Sequence, residues 1–221
     1  MIYTVGGYKG GSSKTTIAMN LAVYLQQQGR RVLVCDADDQ ESAKIFNEVR
    51  RDYSDQPELD MVTFTGNKLH EQLRAKATEY DDVVVDTGGR DTTSQRSALS
   101  ITNAYLVPFP PRATDLWTSG KVDLLVGKAF DVNPTMRAFS FIARADTHGL
   151  TGAAGQQAVH YLGGLDQVTF VPLTIGNRVA FDKAMSVGLS VFELTPPDPK
   201  AIAEVTALFS HIQHVITNEK A

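Results

Sequence analysis

The segment Gly6-Gly7-Tyr8-Lys9-Gly10-Gly11-Ser12-Ser13-Lys14-Thr15-Thr16 gathers glycines, hydroxyls and two lysines between a short apolar run and a stretch of helical period. Those residue types in that order make a phosphate cradle. Successive backbone N–H groups at a helix N-terminus attract an anion, and glycines let the backbone approach it. A lysine then meets the β and γ phosphates while a hydroxyl holds Mg2+. The strict pattern G-x-x-x-x-G-K-[ST] fails at both glycines, because Tyr8 and Ser13 stand there. A left-handed backbone at position 13 would strain a serine where a glycine is free.

Two acidic segments accompany the cradle. Val34-Cys35-Asp36-Ala37-Asp38-Asp39-Gln40 ends the second apolar run, and Val83-Val84-Val85-Asp86-Thr87-Gly88-Gly89-Arg90 ends the fourth. In an open parallel sheet, ligands bind beyond the carboxyl ends of the strands. Asp36, Asp38 and Asp86 therefore fall beside the loop. Mg2+ takes carboxylates, a hydroxyl, phosphate oxygens and water. Either acidic segment alone reads as a solvated turn or a helix cap; next to a phosphate cradle they become a candidate metal and catalytic set.

The elements that must position these groups follow from the period of the apolar residues. Strands are expected at Ile2–Val5, Arg31–Cys35, Met61–Phe64, Asp82–Asp86, Ala104–Val107, Arg137–Ala143 and Val168–Val171. Helices are expected at Lys14–Gln28, Glu41–Arg51, Lys68–Tyr80, Thr92–Ser100, Thr114–Ala129 and Gly152–Leu162, with a last one from near Asp198 and Pro199 at its first position. Gly29 is the expected stop of the first helix. Strands that are continuously apolar and alternate with helices predict an α/β, doubly wound, mostly parallel sheet covered on both faces.

The 221 residues suffice for one core, and no Pro/Gly/Ser-rich linker divides them, so a single domain over 1–221 is expected. Hydrophobic residues at 43%, charged residues at 21% and a net charge of −4 exclude disorder and a membrane-spanning class, and leave a nucleic-acid-binding face only as a local patch. One cysteine excludes a disulfide framework, and no secretory leader is visible, so a cytoplasmic protein is expected. Cys35 reads as a small buried hydrophobe, and Trp117 as a packing residue on an amphipathic stretch. His211 and His214, near the end of the last helix, are explained by the helix macrodipole and solvent rather than by a metal site.

Lys9 completes the box Lys-Gly-Gly-x-x-Lys-Thr-Thr, which resembles the deviant Walker A box of the ParA/MinD family of P-loop ATPases. The Asp36–Gln40 segment is similar to that family's D-x-D-P-Q switch, with Asp39 replacing the proline, and Asp86 resembles its Walker B aspartate. Leu106–Pro111 looks like its strand-and-proline segment, and Val171–Arg178 through Ala184 and Gly188 like its late loop and helix. In order, these cover nearly the whole chain, most closely as the short ParA-type partition ATPases without an N-terminal helix-turn-helix domain.

The resemblance implies ATP and Mg2+ as ligands. Gly10, Gly11, Ser12 and Ser13 would cradle the phosphates, with Lys14 on the β/γ oxygens, Thr15 on Mg2+ and Thr16 near the α-phosphate. Lys9 would cross an ATP-bound homodimer to the partner's phosphates. Asp38 would orient or activate the attacking water, Asp36 would support the magnesium network, and Asp86 would hold Mg2+ through water. Thr87–Asp91 would be a second switch made mobile by Gly88-Gly89, and Asn177 and Arg178 would touch the nucleotide. Implied partners are non-specific DNA and a ParB-like centromere-binding adaptor. The cargo would be plasmid or chromosomal DNA first, with a protein organelle left open, and the ATP-bound form nucleoid-associated in a bacterial or plasmid-encoded setting. Only Lys200 and Lys220 supply positive charge after Pro199, which argues against a membrane-anchoring helix. The other enzyme class open to this loop is a small-molecule kinase or ligase of the dethiobiotin-synthetase type.

Overall fold

The computed structural model describes residues 1–89 and 92–218, so Arg90 and Asp91 of the expected second switch and the terminal Lys220 lie outside the described residues. In chain order the elements are β1 (Ile2–Val5), α1 (Lys14–Gln27), β2 (Val32–Ala37), α2 (Ser42–Tyr53), β3 (Asp60–Thr63), α3 (Leu69–Ala77), β4 (Asp82–Thr87) and α4 (Thr93–Leu99). There follow β5 (Ala104–Phe109), α5 (Ala113–Leu116), α6 (Ser119–Phe130), β6 (Arg137–Ala145), a 3-10 turn at Gly149–Thr151, α7 (Ala153–Gly163), β7 (Thr169–Gly176), α8 (Val179–Ser186) and α9 (Pro199–Asn218).

The seven strands form one sheet in the order β3-β2-β4-β1-β5-β6-β7, and every pairing is parallel. This is the α/β P-loop fold expected from the sequence. Alternate strand residues feed opposite layers. Val32, Val34, Val84 and Phe141 pack with α1, α2, α8 and α9, whereas Leu33, Cys35, Val83, Val85, Tyr105 and Ile142 pack with α3 to α7. Burial on both faces explains why β2, β4 and β5 read as unbroken apolar runs; the edge strands β3 and β7 are partly exposed.

The chain leaves β1 toward β2 on one side and later leaves β4 toward β5 on the other. The helices that follow β1 and β4 therefore cover opposite faces, and a crevice opens beyond the carboxyl ends of these adjacent strands. Helix α1 stops as expected. Gly29 adopts φ 77° and the amides of Gly29 and Arg30 return to the carbonyls of Gln26 and Leu25.

Two expectations are corrected. The helix expected over Thr114–Ala129 is broken into α5 and α6 at Trp117-Thr118, where the Thr118 hydroxyl bonds the Asp115 carbonyl at 2.6 Å. The break turns Trp117 outward, 65% exposed, while Leu116 and Val122 fill the core, so Trp117 is not a packing residue. Strands β6 and β7 also run further than their apolar runs, as far as Ala145 and Gly176.

Candidate functional site

The Gly6–Ser13 loop joins β1 to α1, and its shape rests on a few contacts. Gly11 and Ser13 have φ of 72° and 71°, with Ser12 between them at negative φ, an arrangement that turns successive N–H groups to one side. The Ile17 amide bonds the Ser13 carbonyl at 2.9 Å, so Lys14, Thr15 and Thr16 occupy the first turn, where backbone N–H groups have no helical acceptor. The Lys9 carbonyl accepts from the Lys14 ammonium at 2.8 Å and from the Ser12 hydroxyl at 3.3 Å, tying the loop to itself. On the far side, Gln95 of α4 donates to the Gly7 carbonyl at 3.3 Å and to the Tyr105 hydroxyl at 2.6 Å.

Above the loop lies a cleft of about 740 Å3 whose walls include Gly10, Gly11, Ser13, Lys14, Thr15, Thr16, Asp38, Gly88, Gly89 and Arg144. The cradle, the first acidic turn and the glycine pair thus meet at one place. Ser12 does not line the cleft; its buried hydroxyl is used within the loop. The Lys9 side chain points elsewhere, 4.0 Å from the Asp115 carboxylate and 41% exposed.

The three aspartates divide by environment. Asp36 and Asp86 are ladder partners on β2 and β4, and both are fully buried. Asp36 accepts from the Asp38 amide at 3.1 Å and from the Lys44 amide in the first turn of α2 at 2.8 Å. Each of its oxygens accepts one amide and it does not line the cleft, so in this structure Asp36 holds the Asp38 turn and caps α2. Asp38 accepts from the Gln40 amide at 3.1 Å and faces the cleft.

Neither oxygen of Asp86 has a hydrogen-bond partner among the described residues. Burial pushes its carboxyl up to about 7, offset in part by the nearby Thr15 hydroxyl and the Lys14 ammonium. Burial likewise lowers Lys14, against the pull of Asp86 and Asp38. An unpartnered buried carboxylate beside a threonine hydroxyl at a phosphate cradle fits a divalent cation, which takes one or two protein oxygens and completes its shell with phosphate and water.

Neither Gly88 nor Gly89 has positive φ, and both make close approaches. A Cβ on Gly89 would lie 2.5 Å from the Gly10 nitrogen and the Lys9 carbonyl carbon, and one on Gly88 would lie 3.1 Å from Asp38 Oδ1. The segment after β4 rests directly on the phosphate loop and on the acidic turn.

Asn177 and Arg178 line a small side pocket that shares Ser13, Thr16 and Arg144 with the cleft. Asn177 is exposed and its amide bonds the Ala145 carbonyl at 2.8 Å. Arg178 pairs with Glu204 of α9 at 2.5 Å, and Glu204 also accepts from the Gly176 amide, so Arg178 braces the β7 exit. Arg144 was missed as a site residue, because a lone arginine ending a strand gives no spacing signal.

Known proteins share this fold. The chain is 26% identical over 209 residues to maintenance of carboxysome distribution protein A of Halothiobacillus neapolitanus, covering 94% of each chain. Its fold resembles the ATP complex of McdA from Cyanothece, with a TM-score of 0.73, 15% identity and 96% and 95% of the two chains covered. It also resembles the cell division ATPase MinD of Pyrococcus furiosus, with a TM-score of 0.72, 20% identity and 97% and 98% covered. Among the described residues, no helix is long and apolar enough to cross a membrane. Residues 3–218 match the CobQ/CobB/MinD/ParA nucleotide binding domain, and the chain belongs to that family.

Proposed function

We propose that this protein is an ATPase that binds ATP with Mg2+ in the cleft, dimerises in the ATP state, holds DNA without sequence preference and is reset by hydrolysis. The observation that carries this reading is the meeting of the phosphate loop, Asp38 and the Gly88-Gly89 segment around one cleft, from which the Lys9 side chain is absent. Lys14 would neutralise β/γ-phosphate charge, and Thr15 and Asp86 would hold the metal, Asp86 through water. Gly10, Gly11, Ser13 and Thr16 would supply backbone donors along the phosphates. When bound, Mg2+ would neutralise phosphate charge. Asp38 would accept a hydrogen bond from the attacking water and set its line of approach. Lys9, free of the cleft, would reach a partner subunit's phosphates.

The cellular role we assign is distribution of a large cargo along the nucleoid, with an adaptor protein stimulating turnover. Near full-length likeness to a carboxysome distribution protein makes a protein body the first cargo to test, with plasmid or chromosomal DNA second. Sedimentation with a non-hydrolysable ATP analogue, combined with DNA-binding titrations in rising salt, tests the reading. ATP-dependent dimers whose DNA affinity ignores sequence and falls steeply with salt are expected. Equal DNA binding by the nucleotide-free and ATP-bound forms would overturn the switch.

A further inference from the structure

Strand β6 carries an irregularity at its exit. Ala143 pairs with Ile175 and Ala145 with Gly176, so Arg144 is an extra residue in the ladder, and its φ is 58°. A one-residue bulge with a left-handed residue ordinarily uses glycine, and its effect is to re-aim a side chain. Here the re-aimed side chain crosses to the phosphate loop, where Arg144 Nε donates to Ser13 Oγ at 3.0 Å. Ser13 is itself a non-glycine residue at φ 71°. Two strained residues, 131 positions apart, are thus joined by one hydrogen bond at the wall that the cleft shares with the side pocket.

We propose that Arg144 is a positioning residue that holds Ser13 in the left-handed conformation and so keeps the phosphate loop in its binding shape. A serine in that region is disfavoured relative to extended or right-handed backbone. With glycine the loop needs no such support; with serine, a fixed donor on the hydroxyl opposes relaxation. The bulge costs β6 a regular ladder and returns an arginine aimed at Ser13, one of the two positions where a glycine of the strict pattern is missing and the one of them with positive φ. The inference deepens the proposed function and rests on the cleft taking a nucleotide.

The test is a double-mutant cycle on the full chain with Ser13→Gly and Arg144→Asn. Asparagine tolerates the left-handed backbone, so the second change removes the guanidinium without adding backbone strain. Calorimetric titration with ADP and Mg2+ should show Arg144→Asn about fivefold to tenfold weaker than the parent, the scale of one lost hydrogen bond at a strained site. In the Ser13→Gly background the same change should cost less than about twofold, because glycine removes what the arginine opposes. The KM for ATP should rise in Arg144→Asn while kcat falls much less. Melting midpoints of the nucleotide-free proteins should show the same dependence. Equal losses in both backgrounds, or no loss in either, would overturn the latch. Absence of nucleotide binding by the parent would instead defeat the proposed function, and the melting cycle would still decide the latch.

Discussion

Asp36 and Asp86 sit side by side in the β2–β4 ladder, equally buried, yet both oxygens of Asp36 accept backbone N–H groups while those of Asp86 accept none among the described residues. One carboxylate is tied into the β2–α2 connection, and the other is not.

Burial raises both carboxyls, but the amide donors on Asp36 predict opposite effects of replacing the two side chains. The Asp86 carboxyl is raised from 3.8 to about 7, so in the nucleotide-free protein stability falls as pH rises from near 4 to near 7 and stays reduced above it. Asp86→Asn should therefore gain in melting temperature relative to the parent between pH 4 and 8, by several degrees at pH 8. It should also lose the Mg2+-dependent part of ATP affinity. Asp36→Ala should lower stability by about 1–2 kcal/mol for the lost cap, although burial raises the Asp36 carboxyl against the pull of its two amide donors. Calorimetric melts across that range without metal or nucleotide check both.

Behind the site, α2 is clamped by a buried ion pair. Arg50, 2% exposed, meets Glu193 at 2.6 Å and the Gly188 carbonyl at 2.9 Å. Burial alone would raise Glu193, but Arg50 and the Ser190 amide prevail and hold its carboxyl below 4.5. The pair's contribution is therefore full above pH 4.5 and lost as the pH falls below it. Arg50→Met should cost about 3–5 kcal/mol in urea unfolding at pH 7, because Glu193 is left buried and unpaired.

Most of this frame was legible in the sequence because it rests on period and order. Apolar runs buried on both faces marked β2, β4 and β5, and the Gly/Lys/Thr string between β1 and α1 marked the cradle. Three things were hidden because long-range geometry decides them. Asp36 and Asp86 look alike in sequence, and only the path of α2 gives the first its amide donors. The break at Trp117 falls where the Thr118 amide and hydroxyl both bond the Asp115 carbonyl, a tight turn that apolar period does not mark. The aim of Arg144 depends on a bulge in the pairing of β6 with β7.

Gly89 should tolerate no side chain, since a Cβ there would lie 2.5 Å from backbone atoms of Lys9 and Gly10. Gly89→Ala should displace the phosphate loop and weaken nucleotide binding at least about tenfold, roughly 1.4 kcal/mol. A normal affinity by calorimetric titration would show that the two segments are not mechanically linked.

Lys9→Ala removes a side chain that touches Asp115 rather than the cleft. ADP affinity should stay within about twofold of the parent, well under 1.4 kcal/mol, whereas dimerisation with a non-hydrolysable ATP analogue should be lost. A variant that still sediments as a dimer would remove the cross-subunit role.

The most direct test of the whole account is single-turnover ATP hydrolysis by Asp38→Ala, measured with its ATP affinity and melting curve. Because Asp36 rather than Asp38 caps α2, the substitution should leave stability nearly intact. Because Asp38 is outside the phosphate cradle, ATP should still bind. Hydrolysis should fall about a hundredfold if orienting the water is what Asp38 supplies, and the protein should accumulate as a DNA-bound dimer. Turnover at the parent's rate, with ATP bound normally, would contradict the assignment of this cleft as a hydrolytic switch with Asp38 at its centre.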